Sequence, residues 1–320
     1  MSLGEFDFIG RLLRPLARGC PGALDLADDA ALLDLPAGHQ LVVAKDAMVA
    51  GVHFLEDDPA DLIAGKLLRV NLSDLAAMGA RPLAYLTAIA RPAGIGDAWL
   101  ELFAAGLARD QERFGLSLVG GDTVSTTGPL VLSLTILGAV PAGEALRRNG
   151  ARPGDLLFVS GTLGDAALGL RVLRGLATTE DEALALAGRY RTPQPRLALG
   201  EALRGIATAA LDVSDGLLAD LGHIMAASGV GALVDPARLP LSDAARAMPG
   251  AMDCALGGGD DYELLFAAPP AKEAEVKAAG HRIGLAVTRI GRLTAEPGLQ
   301  LLGSDGRPAS PPASLGWRHF

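Results

Sequence analysis

The stretch Ala210-Leu211-Asp212-Val213-Ser214-Asp215-Gly216 leaves a chain few ways to fold. Its apolar approach from Thr208 to Leu211 reads as the end of a buried strand, and Leu217, Leu218, Leu221 and Ile224 then recur at helical spacing. A strand that turns straight into a helix belongs to an α/β arrangement. Ser214 or Asp215 is expected to cap the new helix, because a short side-chain oxygen satisfies its first N–H groups. One cap would suffice, yet Asp212 and Asp215 both flank the junction, where two carboxylates repel unless a cation holds them. A doubly acidic helix start, favoured by the helix dipole, is the alternative. Recurrence turns the reading toward a site, since apolar runs ending in Asp occur several times earlier in the chain.

At 320 residues the chain exceeds a comfortable single core, so two domains are expected. The polar, Gly/Pro-rich connection from Leu146 to Asp155 marks the boundary, giving a first domain over 1–148 and a second over 149–320. A net charge of −9, with no run of Lys or Arg, argues against a nucleic-acid partner. Cys20 and Cys254 lack the spacing of a zinc site or a disulfide framework. The N-terminus has no basic segment followed by an apolar one, so it is not a secretory signal and a cytoplasmic location is expected. Pro129 and Pro141 interrupt the charge-free segment from Thr123 to Gly143. Its apolar core, Val131 to Val140, is too short for a membrane helix and reads as a strand, so no membrane partner is expected.

Residues 3–18 are expected to form an amphipathic helix with Phe6, Ile9, Leu13 and Leu16 on one side. Asp28 and Asp29 follow, adjacent and between apolar flanks, where solvation is less automatic than in an open loop. Gln40 to Asp46 reads as a strand ending in Lys45-Asp46, with a loop carrying His53 behind it. Asp58-Pro59 signals a helix running to about Met78. Leu68, Leu72, Leu75 and Gly79 make its buried stripe, with Asp74 at the edge and Asn71 one turn earlier. An acid so near a helix C-terminus opposes the dipole, so something positive is expected to face it.

Pro82 to Ala90 is a further strand and Asp97 to Phe114 a further helix. Leu116 to Val119 is a strand ending in Gly120-Gly121-Asp122-Thr123, where glycine lets backbone approach a ligand and Asp122 stands where strand ends present chemistry. A glycine-rich turn with an Asx cap is the plain alternative. In the second domain Gly161 to Asp165 joins a strand to a helix in the pattern that binds anions. Arg189 to Arg196 reads as a Pro-punctuated loop, and Gly257 to Glu263 leads into a strand at Leu264 to Ala267.

The chain lacks the motifs of the P-loop, the dinucleotide fold, the serine-hydrolase elbow and the zinc protease helix. Five dispersed histidines and two cysteines do not suggest a soft metal. The oxygen donors Asp29, Asp46, Asp74, Asp122, Asp212 and Asp215 are different: gathered together, they would need compensation. Carboxylates that bind Mg²⁺ alongside substrate phosphates are the ordinary solution, and several such ions imply a polyphosphate ligand.

Six blocks carry a resemblance. They are Asp28 to Leu32, Val49 to Phe54, Asn71-Leu72-Ser73-Asp74-Leu75-Ala76-Ala77-Met78-Gly79-Ala80, Gly120 to Thr123, Asp212 to Leu217 and Asp261-Tyr262-Glu263-Leu264. Together and in order they resemble the thiamine-monophosphate kinases, a family related to aminoimidazole-ribonucleotide synthetase. The resemblance implies ATP-dependent phosphorylation of thiamine monophosphate with several Mg²⁺ ions. It implies an N-terminal α/β domain that forms a β-barrel across a homodimer, and a C-terminal α/β sandwich.

By match to the family motifs, the six Asp residues above resemble metal ligands. Gly121, Asp122, Arg148 and Ser214 resemble nucleotide contacts, and Asp29, Asp122, Asp212 and Arg148 carry the catalytic expectation. His53, Glu263 and Trp317 resemble groups that hold the thiamine end. Three positions depart from the pattern: Lys45 stands where Thr or Ser is usual, Asp260 where Glu is usual, and Ala27 where Gly is usual. The rivals are an amide-activating enzyme of the same superfamily and a non-catalytic nucleotide-binding protein on the same scaffold.

Overall fold

A computed structural model describes residues 4–303, 306–309 and 316. The chain divides into two compact units. The first holds the chain through Leu75 and again over Ala80–Ala142; the second takes Ala76–Gly79 and everything from Gly143 on.

The first unit opens with α1 (Glu5–Phe8), a π turn (Ile9–Leu13) and α2 (Arg14–Ala17). The π turn adds a residue to the helical repeat, so the predicted stripe slips: Phe8, Leu13 and Leu16 are buried while Phe6 is 86% exposed. A 3₁₀ segment (Pro21–Leu26) follows, then β1 (His39–Val49), α3 (Ala60–Ala77), β2 (Arg81–Pro92), α4 (Asp97–Phe114), β3 (Ser117–Thr126) and β4 (Val131–Pro141). The strands form one open sheet in the order β1-β4-β2-β3, with β1 and β3 at its edges.

Alternation along the strands separates the two faces of this sheet. Leu132, Leu134 and Ile136 of β4 are fully buried, as are Leu68, Leu72 and Leu75 of α3, and Phe103 and Leu107 of α4. The other face of β4 presents Ser133 and Thr135. On β1 the same face carries Leu41 and Val43, which are 51% and 56% exposed. A buried ion pair, Arg69 to Asp110 at 2.6 Å, ties α3 to α4.

The second unit contains β5 (Leu156–Ser160), α5 (Asp165–Leu173), α6 (Glu180–Arg191), α7 (Leu197–Leu203), β6 (Ala209–Asp212) and α8 (Leu217–Ser228). After these come β7 (Gly231–Val234), α9 (Asp243–Arg246), α10 (Ala251–Gly257), β8 (Leu264–Ala268), α11 (Glu273–Arg282), β9 (Val287–Thr294), β10 (Leu299–Leu302) and β11 (Pro308–Ala309). The seven strands run in the order β11-β10-β7-β9-β5-β8-β6.

Both faces of this sheet are covered. Leu157, Val159, Leu211 and Leu265 pack with Leu217, Leu218, Leu221 and Ile224 of α8. Leu156, Phe158, Leu264 and Phe266 pack with Leu199 and Leu203 of α7 and with Val276 and Ala279 of α11. Strands buried on both faces read as unbroken apolar runs, which is why β5, β6 and β8 were visible without alternation. Where the sequence suggested a loop from Arg189 to Arg196, α6 runs on to Arg191 and α7 begins at Leu197. Prolines punctuate only the short connection between these two helices.

Candidate functional site

In the first unit the open face of the sheet walls a cavity of about 410 Å³. Asp28, Asp29, Lys45, Asp122, Ser133 and Thr135 line it together with the backbone of Gly120 and Gly121, and Ile9, Leu13 and Leu26 close its apolar side. Strand register explains the gathering. Lys45 pairs with Thr135, Thr135 with Leu86 and Leu86 with Gly120, so one row crosses all four strands. Ala47, Ser133, Ala88 and Asp122 make the next row on the same face.

Gly120 to Thr123 lie inside β3 rather than at its end, and the strand continues to Thr126. The reason is that, after a register shift at Val119, Gly120 to Thr126 pair continuously with Leu86 to Pro92 in a parallel ladder, Gly121 opposite Thr87. A Cβ on Gly121 would stand 2.2 Å from the Thr87 carbonyl oxygen, so no larger residue fits without moving the edge strand.

The other two expected ligands of this unit, Asp46 and Asp74, lie on the opposite, helix-covered side of the sheet. Asp46 pairs with Leu134, whose side chain is buried against the helices, and its N–H donates to Asn71 Oδ1 at 3.0 Å. Asp74 is partly buried one turn beyond Asn71. In the loop after β1, His53 Nδ1 accepts from the Val49 N–H at 3.1 Å, which leaves the ring proton of neutral His53 on Nε2. The Lys66 ammonium, itself buried, donates to the His53 carbonyl at 2.9 Å and holds that loop down.

In the second unit Asp212 ends β6 and is 7% exposed, with Ser214 and Asp215 partly buried beyond it. Neither Ser214 nor Asp215 caps the helix, contrary to expectation: α8 begins after Gly216 with no side-chain cap. Asp220, one turn inside α8, reaches back instead. Its Oδ2 accepts from the N–H groups of Ser214, Asp215 and Gly216 at 3.0, 3.0 and 3.1 Å. Burial pushes the Asp220 carboxyl up to about 7 against the pull of the Asp215 N–H, and the charges of Asp212 and Asp215 add to the rise. The signal for Asp220 was present, because it interrupts the apolar stripe of Leu217, Leu221 and Ile224.

Backbone pairing holds this turn against the loop before β8. Asp260 N–H donates to Ser214 O and Tyr262 N–H to Val213 O, each at 2.8 Å. Two acids of that loop point inward. Asp261 accepts from the Gly164 and Ala166 N–H groups at 2.6 and 3.3 Å. The N–H groups at the start of α5 are therefore occupied by the protein's own carboxyl, which burial pushes up to about 8.

Glu263 is fully buried. It accepts from Ser160 at 2.6 Å, from Arg189 at 2.8 Å and from Arg196 Nε at 2.7 Å, with a second, shorter contact to Arg196. Expected to face substrate, Glu263 has both oxygens committed inside the unit, and no pattern in the sequence pointed to its two arginines. Arg148 is exposed in the second unit, with its carbonyl accepting from Ser228. Trp317 lies outside the described residues.

The cavity donors are carboxylate, hydroxyl and carbonyl oxygens, a set that suits a hard cation such as Mg²⁺ and phosphate and does not suit zinc. Among the described residues no three His, Cys, Asp or Glu side chains gather closely enough to hold a metal unaided. A hard cation on this donor set would therefore take part of its coordination from phosphate and water, as Mg²⁺ ordinarily does.

Comparison with known proteins gives the chain its relatives. The two halves match the AIR synthase related proteins, the N-terminal domain over residues 27–140 and the C-terminal domain over 152–303. The Caulobacter vibrioides thiamine-monophosphate kinase is 50% identical over 323 residues, covering 98% of this chain and 90% of that one. The Stenotrophomonas maltophilia thiamine-monophosphate kinase crystal structure superposes with a TM-score of 0.84 at 43% identity, covering 97% of this chain and 99% of its own. AaThiL complexed with AMPPCP and TMP gives 0.79 at 30% identity, over 100% and 99% of the two chains. The chain belongs to the thiamine-monophosphate kinase family.

Proposed function

We propose that this chain transfers the γ-phosphoryl group of ATP to the phosphate of thiamine monophosphate, giving thiamine diphosphate and ADP. The observation that carries the reading is the full-length likeness to a relative solved with AMPPCP and TMP. The oxygen-lined cavity of the first unit supports it. In the reaction an acceptor phosphate oxygen bonds to the γ-phosphorus while the bond to the β–γ bridging oxygen breaks in line. With a second pKa of about 6, the acceptor is already largely ionised at neutral pH, so no side chain has to remove a proton.

The protein's task is then positioning and charge. Several Mg²⁺ ions, when bound, would supply the positive charge that lets two polyanions approach. The proposed ligands are Asp29, Asp46, Asp74 and Asp122 in the first unit and Asp212 and Asp215 in the second. Gly121 offers close backbone approach to the nucleotide, with Asp122, Arg148 and Ser214 as further contacts. His53, with its ring proton on Nε2, is the proposed contact for the thiamine end, and Trp317, outside the described residues, is proposed for the same end. Glu263 serves this end indirectly, by holding Arg189 and Arg196.

The exposed Leu41 and Val43 on the open face of an edge strand support a homodimer in which a second copy covers that end of the face. The test of the activity is incubation with ATP, Mg²⁺ and thiamine monophosphate, with ADP and thiamine diphosphate assayed together. Equal amounts of both, abolished by Asp212→Asn, are expected. ADP without thiamine diphosphate would move the chain to an amide-activating relative, and no ADP with any acceptor would leave a nucleotide-binding protein.

A further inference from the structure

The cavity of the first unit contains a cationic side chain to which the proposed activity gives no part. Three carboxylates line it, from Asp28, Asp29 and Asp122, and among the described residues its only cationic lining residue is Lys45. Lys45 forms no ion pair with any of the three among the described residues, although it shares their cavity. Its place in the register sets it apart from Asp122: it stands on β1, at the far end of the row that crosses Thr135 and Leu86 to reach Gly120 on β3. Thr135 is its direct cross-strand neighbour and Gly120 opens the stretch where backbone lies bare. Lys45 is thus exposed where it lines the cavity and forms no ion pair with a carboxylate of that cavity among the described residues.

We infer that Lys45 is a phosphate-contacting residue of this cavity, its ammonium meeting the nucleotide's polyphosphate from the β1 side. The inference rests on the nucleotide reading above and adds a residue to it. A lysine is a compact point charge on a flexible stem, suited to a phosphate whose position shifts as cations come and go. With Lys45 present the cavity side chains carry a net charge of −2, three carboxylates less one ammonium; without it they carry −3. A polyphosphate entering without divalent cations meets a repulsive wall in either case, but Lys45 gives it one attractive contact that no cation has to supply. Part of nucleotide binding is therefore independent of free Mg²⁺. The plain alternative is that Lys45 only blunts an exposed sheet edge, a common use of lysine on edge strands.

Calorimetric titration of the full chain with AMPPCP, in EDTA and across a Mg²⁺ series, separates the two. Wild-type protein, Lys45→Met and Lys45→Arg are compared, with adenosine as the phosphate-free control. Loss of one charge contact at partly screened range is expected to weaken AMPPCP binding in EDTA by about tenfold. The Mg²⁺ concentration at half-maximal tightening rises in Lys45→Met, Lys45→Arg restores most of the loss, and adenosine binding is unchanged. If EDTA binding is too weak to measure in the wild type, the Mg²⁺ midpoint decides. An unmoved midpoint, or EDTA affinity equal within twofold, overturns the role of Lys45 and leaves the kinase reading standing. Failure of the wild type to bind AMPPCP in excess Mg²⁺ overturns both.

Discussion

Replacing Glu263 by Gln keeps the volume of a fully buried side chain and removes only its charge. In the wild type its carboxylate takes donors from two guanidiniums and from the Ser160 hydroxyl. An amide offers one acceptor oxygen and sets its own N–H₂ against a guanidinium, so at least one arginine faces a donor in place of an acceptor. Removing one partner of a buried ion pair costs roughly 3–5 kcal/mol. Arg189 and Arg196 are each 19% exposed and recover some hydration, which places the expected loss at the low end, about 3 kcal/mol.

At roughly 2–4 °C per kcal/mol for a unit of this size, the unfolding midpoint should fall by about 6–12 °C. Thermal unfolding without ligand measures it, and a Glu263→Gln/Arg196→Met double variant should recover part of the loss through coupling between the two sites. A loss below about 1 kcal/mol, with affinity for thiamine monophosphate falling instead, would refute the argument. Glu263 would then be a substrate contact and not an internal counter-charge.

Three further outcomes follow from the geometry. Asp220→Ala strands the N–H groups of Ser214, Asp215 and Gly216; about 2–4 kcal/mol of stability and at least tenfold in turnover should be lost, read by unfolding and by coupled ADP assay. Asp261 has a folded pKa of about 8, above the ordinary carboxyl value, so the native state holds its proton longer than the unfolded chain. Its contribution to stability is complete below about pH 4 and lost as the pH rises to about 8. Urea midpoints across that window should slope downward in the wild type and less in Asp261→Asn. Gly121→Ala pushes a Cβ against the Thr87 carbonyl oxygen and should cost roughly 1–3 kcal/mol while weakening AMPPCP binding, measured on the same protein by unfolding and titration.

What the sequence disclosed follows from which signals are local. The helix from Asp97 to Phe114 was legible to the residue because its apolar stripe and the following Gly115 are both local features. Strands β5, β6 and β8 were legible as apolar runs. The acids were legible as a set, but their sorting was not: Asp46 and Asp122 face opposite sides of one sheet, and only register decides that. The internal partners of Glu263 were not legible for a related reason. Its partners lie 67, 74 and 103 residues away, and nothing near it in the chain announces them. The N-terminal segment slipped because a π turn breaks the 3.6-residue period that the stripe assumed.

The strand order of the second unit also sets a problem in time. β5 is the first of its seven strands to be synthesised, and all of Leu156 to Ser160 ends up buried. Its two neighbours are β8 and β9, so Phe158 must wait for Phe266 and Arg289 before its backbone is paired. At ordinary elongation rates that wait is roughly 5–20 s for each hundred residues of chain. Throughout that interval an apolar strand with two open edges is presented to the cell. Producing this protein in quantity therefore depends less on how stable its finished sheet is than on what shields β5 until the sheet can close around it.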